Sequence, residues 1–328
     1  MREVAFIKQN KEKWLEFEQA IFGNAKKNPD DLASLYIHLV NDLAYAQTYY
    51  PRSKTVTYLN NLAALTYQKI YKTRREEGYR IIRFFKTEVP LVVYNNRRYV
   101  LYAFLFFFLF TLIGVFSAAH DAGFVRLIMG DDYVNMTLEN IENGNPVAVY
   151  KSGSNWGSAI GITLNNLRVC ASEFVLGILG GFGTVYLLFK NCIMLGAFQY
   201  FFYEKKVFWE SVRGIWLHGA MEIFSIVICA VAGIIFGAGI LFPKTYSRGE
   251  SLKRGFKDGL KVWASTLPFI FAAGMIEGFV TRYSPVMPMS LNIFIILSTL
   301  SLISWYYLIY PFRVNRRLQK ALHANKPA

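Results

Sequence analysis

The sequence has little of what an enzyme, a secreted domain or a metal cluster requires. It holds only three cysteines in 328 residues, and Cys170, Cys192 and Cys229 each lie in an apolar segment without paired spacing. This pattern excludes a disulfide framework, and we expect the thiols to pack as small apolar groups. The sequence also has no HExxH motif, no nucleophile placed beside a histidine and no pair of intramembrane aspartates. We therefore predict no enzymatic activity and no cofactor.

Nucleic-acid motifs are also lacking, although the net charge is +14. No zinc-finger spacing, helix-turn-helix pattern or aromatic ribonucleoprotein motif accompanies the charge, so nucleic acid is not an expected partner. The amino-terminal stretch MREVAFIKQNKEKW lacks the short apolar core and the cleavage site of a secretory signal. The first spanning helix is therefore expected to act as the insertion signal.

Apolar side chains, in contrast, are abundant. Hydrophobic residues make up 54% and aromatic residues 17% of the sequence, more than a soluble domain of this length could bury. We therefore predict an all-α, polytopic helical membrane protein in a lipid bilayer, with about six spans. The apolar runs that predict these spans are 99–119, 170–189, 191–204, 218–242, 260–281 and 289–310.

Charged residues indicate the direction of the spans. The loop at 244–261 and the tail at 313–328 are rich in lysine and arginine. The charged residues of the segment 120–156 are instead mainly acidic. The positive-inside rule then predicts that both termini are cytoplasmic and that the acidic segment is external. The region between must cross the membrane an odd number of times. We favour six spans, and the alternative is four spans with re-entrant elements near 156–168 and 191–204.

The chain is predicted to have three parts: a cytoplasmic helical head at 1–98, a transmembrane domain at 99–312 and a basic cytoplasmic tail at 313–328. Periodic apolar positions predict head helices at about 3–22, 30–47 and 56–72. The stretch YRIIRFFKTEVPLVVYNNRRY predicts an amphipathic helix in the headgroup layer, with a basic face of the bundle in water as the alternative. The stretch SLKRGFKDGLKVW predicts a second interfacial helix.

Polar residues inside the predicted spans are the candidate functional residues, because such groups are costly in hydrocarbon and often mark function. They are Asn165, Asn166, Arg168, Glu173, Asn191, His218, Glu222 and Glu277. One face of the 170–189 span carries Glu173 and small residues and continues to Asn191. His218 and Glu222 are one turn apart on a later span, and we expect Arg168 or His218 to pair with Glu173 and Glu222. The glycines expected to let helices approach closely are Gly177, Gly181, Gly219 and Gly233.

The pattern leaves the role of this polar cluster open. Interhelical hydrogen bonds that hold the packing are the leading interpretation, because polar groups often join spans. An ion or proton pathway is the alternative, since a buried histidine and glutamate can exchange protons near neutral pH. A metal site is not predicted, because His218 and Glu222 supply two ligands and zinc sites usually have three or four.

Three stretches together resemble the stage II sporulation protein M family: NNLRVCASEFVLGILGGFGTVYLLFKNCIMLG, HGAMEIFSIVICAVAGIIFGAGILFP and AAGMIEGFVT. The resemblance extends over about 99–310, and it rests most on Asn165 and Asn166, on His218 with Glu222, and on Glu277. Family members commonly have an Asn-Gly pair after the second span, where this chain has Asn191 and Cys192.

The resemblance implies an integral protein of the bacterial inner, or cytoplasmic, membrane without enzymatic activity. It implies a scaffold or anchor for an envelope-associated assembly of the peptidoglycan-remodelling type, with other membrane proteins and a MoxR-type ATPase system as expected partners. Faces of small residues also predict a homodimer. The alternative hypothesis is an ion or small-solute channel or transporter that uses the buried polar cluster.

Overall fold

A computed structural model of the protein describes residues 2–22, 29–71, 79–144 and 154–324. Parts of the predicted acidic segment, at 145–153, and of the predicted tail, at 325–328, lie outside these ranges. The chain divides into two compact units, at 1–79 and 80–328. The boundary lies before the amphipathic stretch, which we predicted to belong to the head at 1–98.

The first unit contains the predicted head helices, α1 (Glu3–Phe22), α2 (Pro29–Tyr49) and α3 (Lys54–Tyr71). Their apolar faces meet in a core that includes Trp14, Leu39 and Leu59. Asp42 ties α2 to α1, because its carboxylate accepts a hydrogen bond from the Trp14 indole at 3.0 Å and pairs with a lysine at the same distance. The helical periodicity of the sequence therefore predicted these three elements correctly.

The second unit begins with the amphipathic stretch, which forms α4 (Arg80–Arg83), a π-helical turn (Phe84–Glu88) and α5 (Val89–Asn95). Glu88 pairs with Lys261 at 2.6 Å, and this hydrogen-bonded partner holds the pKa of the Glu88 carboxyl below its usual range. The hydroxyls of Tyr306 and Tyr310 donate to backbone carbonyls of the π-helical turn. The stretch therefore packs against later helices of its own unit, while Ile81 remains 74% exposed.

Six helical segments of the second unit are long and apolar enough to cross a membrane. The principal helices are α6 (Arg97–His120), α9 (Asn155–Val175), α10 (Phe182–Glu204), α11 (Phe208–Leu241), α12 (Arg248–Phe279) and α13 (Met289–Ser304). Between α6 and α9 lie two short helices, α7 (Phe124–Met129) and α8 (Asp131–Glu142). After α13, a π-helical turn (Trp305–Ile309) leads into α14 (Tyr310–Ala324). The described residues therefore agree with the six-span prediction.

The predicted span at 170–189 is wrong, because the chain reverses within it. Helix α9 continues through a short 3-10 turn (Leu176–Leu179) and ends at Gly180 and Gly181, whose φ angles of +68° and +87° are left-handed. Glycine adopts such angles without steric cost, and α10 starts directly afterwards. Because this turn consists of apolar residues and glycine, it does not interrupt the apolar run of the sequence, and hydropathy alone does not reveal it. For this reason the region predicted to be re-entrant, 156–168, is instead the first half of a full span.

The second predicted interfacial helix is also wrong as a separate element. The stretch SLKRGFKDGLKVW forms the first half of α12, which is continuous from Arg248 to Phe279. Its Gly255 lies against Gly239 of α11, and a Cβ added at Gly255 would lie 2.9 Å from the Gly239 Cα, so this half packs on its neighbour. Three apolar side chains of the stretch remain partly exposed: Leu252, Phe256 and Leu260.

Helix α11 is the centre of the second unit, because two-thirds of the residues in its most apolar stretch are buried. It runs parallel to α9, since Asn166 lies beside Glu222 and Glu173 lies against Gly233, and it runs antiparallel to α12. Successive crossings place the loops at 205–207 and 284–288 at one end of the bundle. The turn at Gly180 and the loop at 242–247 lie at the other end.

This arrangement predicts the labelling of two matched lysines, Lys206 and Lys244, which are exposed and have positive φ angles of 59° and 53°. In intact cells we expect Lys206→Cys to react with a membrane-impermeant maleimide, and Lys244→Cys to react only after lysis. The three native cysteines are buried and should add no background. Labelling of Lys244→Cys in intact cells would contradict the predicted orientation.

Candidate functional site

The second compact unit, at 80–328, holds the candidate spans and is called the membrane unit. Its principal polar cluster joins α11 and α12. His218 and Glu222 occupy adjacent turns of α11, and Glu277 faces them from the antiparallel α12. One ligand atom from each of the three residues lies within 4.8 Å of the others. Nε2 of His218 lies 3.6 Å from Oε2 of Glu277. The tertiary structure therefore adds a third group to the pair that the sequence placed together.

Two of the three cluster residues are almost completely withdrawn from solvent, and Glu222 is half-buried. His218 is 3% exposed and Glu277 6% exposed, and Asn166 of α9 lies beside Glu222 at 3% exposure. Nδ1 of His218 bonds to the Thr281 hydroxyl at 3.0 Å, which fixes the ring and directs Nε2 toward Glu277. Among the described residues, Oε2 of Glu277 has no hydrogen-bond partner. Such a buried oxygen is costly unless another group satisfies it.

A cavity of about 380 Å³ adjoins the cluster between α6, α10 and α11. His218, Glu222 and Asn191 supply its polar wall, and the rest of its lining is mainly apolar. Met129 of α7 and Tyr133 of α8 cover part of it from the short helices. Glu222 is only half-buried and so connects the cavity with the enclosed residues.

A second polar cluster joins α9 to α10. Glu173 is fully buried, and its Oε1 accepts a hydrogen bond of 3.3 Å from the Asn191 amide. Thr184 donates to the backbone carbonyl of Glu173 at 2.7 Å. The prediction that these residues share one helix face is wrong, because the turn at Gly180 separates them. The two antiparallel helices nevertheless bring them together.

Two predicted members lie outside both clusters. Asn165 and Arg168 are on the exposed face of α9, although their neighbour Asn166 is buried. The expected pairing of Arg168 with a buried carboxylate is therefore wrong. His218 lies 3.6 Å from Glu277, a carboxylate that was not among its expected partners. A helix turns by about 100° per residue, so adjacent positions face different surroundings. The sequence did not indicate which side of α9 the other helices would cover.

Close helix packing depends on glycine, but only partly on the predicted positions. Gly177 contacts Gly233, and a Cβ added at Gly177 would overlap the Gly233 carbonyl oxygen. At Gly181 an added Cβ would make only ordinary contacts, and the positive φ angle is what favours glycine there. At Gly219, too, an added Cβ would make only ordinary contacts of 3.7 Å or more. Sequence reasoning missed several glycines that face backbone or side chains closely: Gly237, Gly239, Gly255, Gly259, Gly274 and Gly278. The spacing of glycines by four, as in GxxxG, was the available signal.

A family model described as "Stage II sporulation protein M" matches residues 103–282, over half of the chain. The chain belongs to this family. A model described as a domain of unknown function (DUF8413) matches residues 4–72 of the first unit. The Uncharacterized protein MJ0706 of Methanocaldococcus jannaschii is 22% identical over 190 residues, which cover 57% of this chain and 83% of that protein. No solved structure matches the chain.

The stage II sporulation protein M match includes both polar clusters and ends before α13. It confirms the resemblance drawn from the three sequence stretches. The pair Asn191 and Cys192, which the sequence placed after the second span, does not follow a span in the structure. Asn191 and Cys192 lie within α10, where Asn191 also donates to the Leu187 carbonyl at 3.0 Å.

Proposed function

We propose that this stage II sporulation protein M family member is a non-enzymatic membrane scaffold that binds another membrane protein through α9. The observation that carries the proposal is the exposure of Arg168 and Asn165 halfway along a span. Among the described residues, Arg168 makes no hydrogen bond or ion pair. A charged group in that position calls for a protein partner rather than lipid.

The depth of Arg168 makes its exposure costly. At about 1.5 Å per residue it lies about 20 Å along the helix axis from Asn155 and about 17 Å from Leu179. Because the hydrocarbon core is about 30 Å thick, such a group is far from both headgroup layers. An arginine at the centre of a span costs on the order of 2.5–3.5 kcal/mol during insertion. A partner that supplies an acceptor would recover much of this free energy.

The surface around Arg168 suits a helix. Gly157, Gly161 and Asn165 lie on the same exposed face of α9, and nothing lies within 4 Å of a Cβ added at Gly161. Small residues let a second backbone approach closely, and amides can bond across such an interface. We infer a partner span that carries a carboxylate, because two copies of Arg168 across a symmetry axis would repel each other.

The partner would be a component of an envelope-associated assembly of the peptidoglycan-remodelling type, in the bacterial inner membrane. The basic head and tail would then face the cytoplasm, where a MoxR-type ATPase system could be recruited. The homodimer was predicted from faces of small residues. Three of the glycines on those faces, Gly177, Gly181 and Gly233, pack within the chain and no longer support a dimer. The homodimer stays a prediction that the same purification can test by native mass spectrometry.

The test is affinity purification from native membranes of the wild type, Arg168→Leu and Arg317→Leu. Arg317 is an exposed arginine of α14 and serves as the matched control. We expect Arg168→Leu to reduce a co-purifying envelope protein by on the order of tenfold, equivalent to about 1.4 kcal/mol. Arg317→Leu should retain it. An identical set of co-purified membrane proteins from all three would contradict the proposal.

The channel or transporter alternative is favoured by the cavity beside Glu222. Against it, the close backbone contacts of α11 with α9 and α12 leave little space between these helices. Purified protein in liposomes distinguishes the two functions. We expect no ion flux above that of empty vesicles, and a flux that is lost in Glu222→Gln would establish the alternative.

A further inference from the structure

We propose that His218, Glu222 and Glu277 bind a divalent transition-metal ion inside the membrane unit, and that Zn²⁺ fits the site best. The proposal rests on the convergence of three ligand-bearing side chains from two helices. It does not depend on the scaffold function, because a metal could hold α11 to α12 in a scaffold or in a transporter.

The spacing of the ligands suits a small metal ion. Zinc binds nitrogen and oxygen at about 2.0–2.2 Å, which places tetrahedral ligand atoms roughly 3.3–3.6 Å apart. Nε2 of His218 and Oε2 of Glu277 are 3.6 Å apart, and all three ligand atoms lie within 4.8 Å of one another. Small rotations of the Glu222 side chain would close the remaining distance. A preformed pair and one adjustable ligand therefore make up the site.

The surroundings of His218 are those of a metal-binding imidazole. Such a histidine usually gives its second ring nitrogen to a hydrogen-bonded partner, which fixes the tautomer and the ring orientation. Here the Thr281 hydroxyl lies 3.0 Å from Nδ1, and Nε2 is the atom nearest Glu277. Asn166 lies beside Glu222 in the same way. Thr281 and Asn166 are positioning residues in this proposal.

Charge balance favours a divalent ion. Two carboxylates side by side in a medium of low dielectric constant are strongly unfavourable unless a cation or protons neutralise them. A divalent ion with Glu222, Glu277 and a neutral His218 gives a site of zero net charge. It would also satisfy Oε2 of Glu277, which has no hydrogen-bond partner in the described part of the chain. An imidazole ligand favours Zn²⁺ over the oxygen-preferring Mg²⁺ and Ca²⁺.

The cavity lies directly beside the proposed site. It is about 380 Å³ in volume, and Glu222 and His218 form part of its wall. Glu277 lies behind them, close to the crossing of α11 and α12. An ion that enters the cavity would meet Glu222 first and would then reach the more enclosed pair.

The experiment uses the full chain purified in detergent, stripped with a chelator and dialysed against Zn²⁺. Metal content by mass spectrometry should be near stoichiometric for the wild type and for Glu173→Gln, and near background for Glu277→Gln. Glu173 is the matched control, because it is a fully buried carboxylate outside the site. Thr281→Val should lower zinc affinity by about 10–100-fold, as loss of a positioning hydrogen bond does.

A second set of measurements distinguishes loss of the metal site from failure of a variant to fold. Zn²⁺ should raise the melting temperature of the stripped wild type, and Mg²⁺ should not. Glu222→Cys loaded with Co²⁺ should show a thiolate-to-metal charge-transfer band that the wild type lacks. Folded wild type that takes up no more zinc than Glu277→Gln, or that gains no stability from zinc, would overturn the proposal.

Discussion

Replacement of Gly237 by valine is expected to prevent the membrane unit from folding. A Cβ at this position of α11 would overlap the backbone of Gly180 and Gly181. Backbone atoms in a tight turn cannot move aside as a flexible side chain can. Overpacking of a core typically costs about 1–3 kcal/mol, and a clash with backbone exceeds the usual range. We expect little monodisperse protein from detergent extraction, or a large drop in melting temperature.

The matched control is Gly161→Val, also a glycine within a spanning helix. An added Cβ there meets nothing within 4 Å, and the residue is exposed. We expect the melting temperature of this purified variant to stay near that of the wild type, because exposed substitutions usually change stability by less than about 0.5 kcal/mol. Equal stability of Gly237→Val and Gly161→Val would show that α11 does not touch the turn at Gly180.

Replacement of Tyr307 by alanine is expected to release the last spanning segment from the bundle. Tyr307 is 1% exposed, and its hydroxyl lies 2.8 Å from the Ser265 hydroxyl of α12. Its ring also packs near Phe224 and Phe269. Truncation of a buried aromatic side chain costs about 3–5 kcal/mol. The effect should be large here, because only 11% of the most apolar stretch of this segment is buried. Few other contacts therefore hold the segment to the bundle.

Thermal unfolding in detergent and limited proteolysis after α12 would measure this effect. Tyr307→Phe keeps the ring and loses only the hydroxyl contact, so we expect a loss of about 1 kcal/mol. Tyr186→Ala removes a tyrosine that is 59% exposed and should change little. If Tyr307→Ala and Tyr186→Ala unfold at the same temperature, the last segment is held by other contacts.

Hydropathy is informative for some of the spanning helices and not for others. Long apolar runs predicted α6 and α13 well, because the width of a bilayer sets a minimum length that a sequence can display directly. The end of α11 was also predicted, but this helix begins at Phe208, ten residues before the predicted run. The turn at Gly180 and Gly181 escaped prediction, since its neighbours are as apolar as the helices that it joins. The continuous α12 was divided wrongly, because its first half is amphipathic and its second half is apolar.

The sequence by itself determined that this chain is a helical membrane protein, that its head is a set of amphipathic helices, and that His218 and Glu222 share a helix face. Composition and helical periodicity are properties of single segments, so they can be read from the order of residues. Only the tertiary structure decided that Glu277 joins this pair and that Arg168 faces outward. Those outcomes depend on which helices touch and at what rotation. Backbone contacts at glycines distant in the chain, such as Gly177 with Gly233, determine that arrangement.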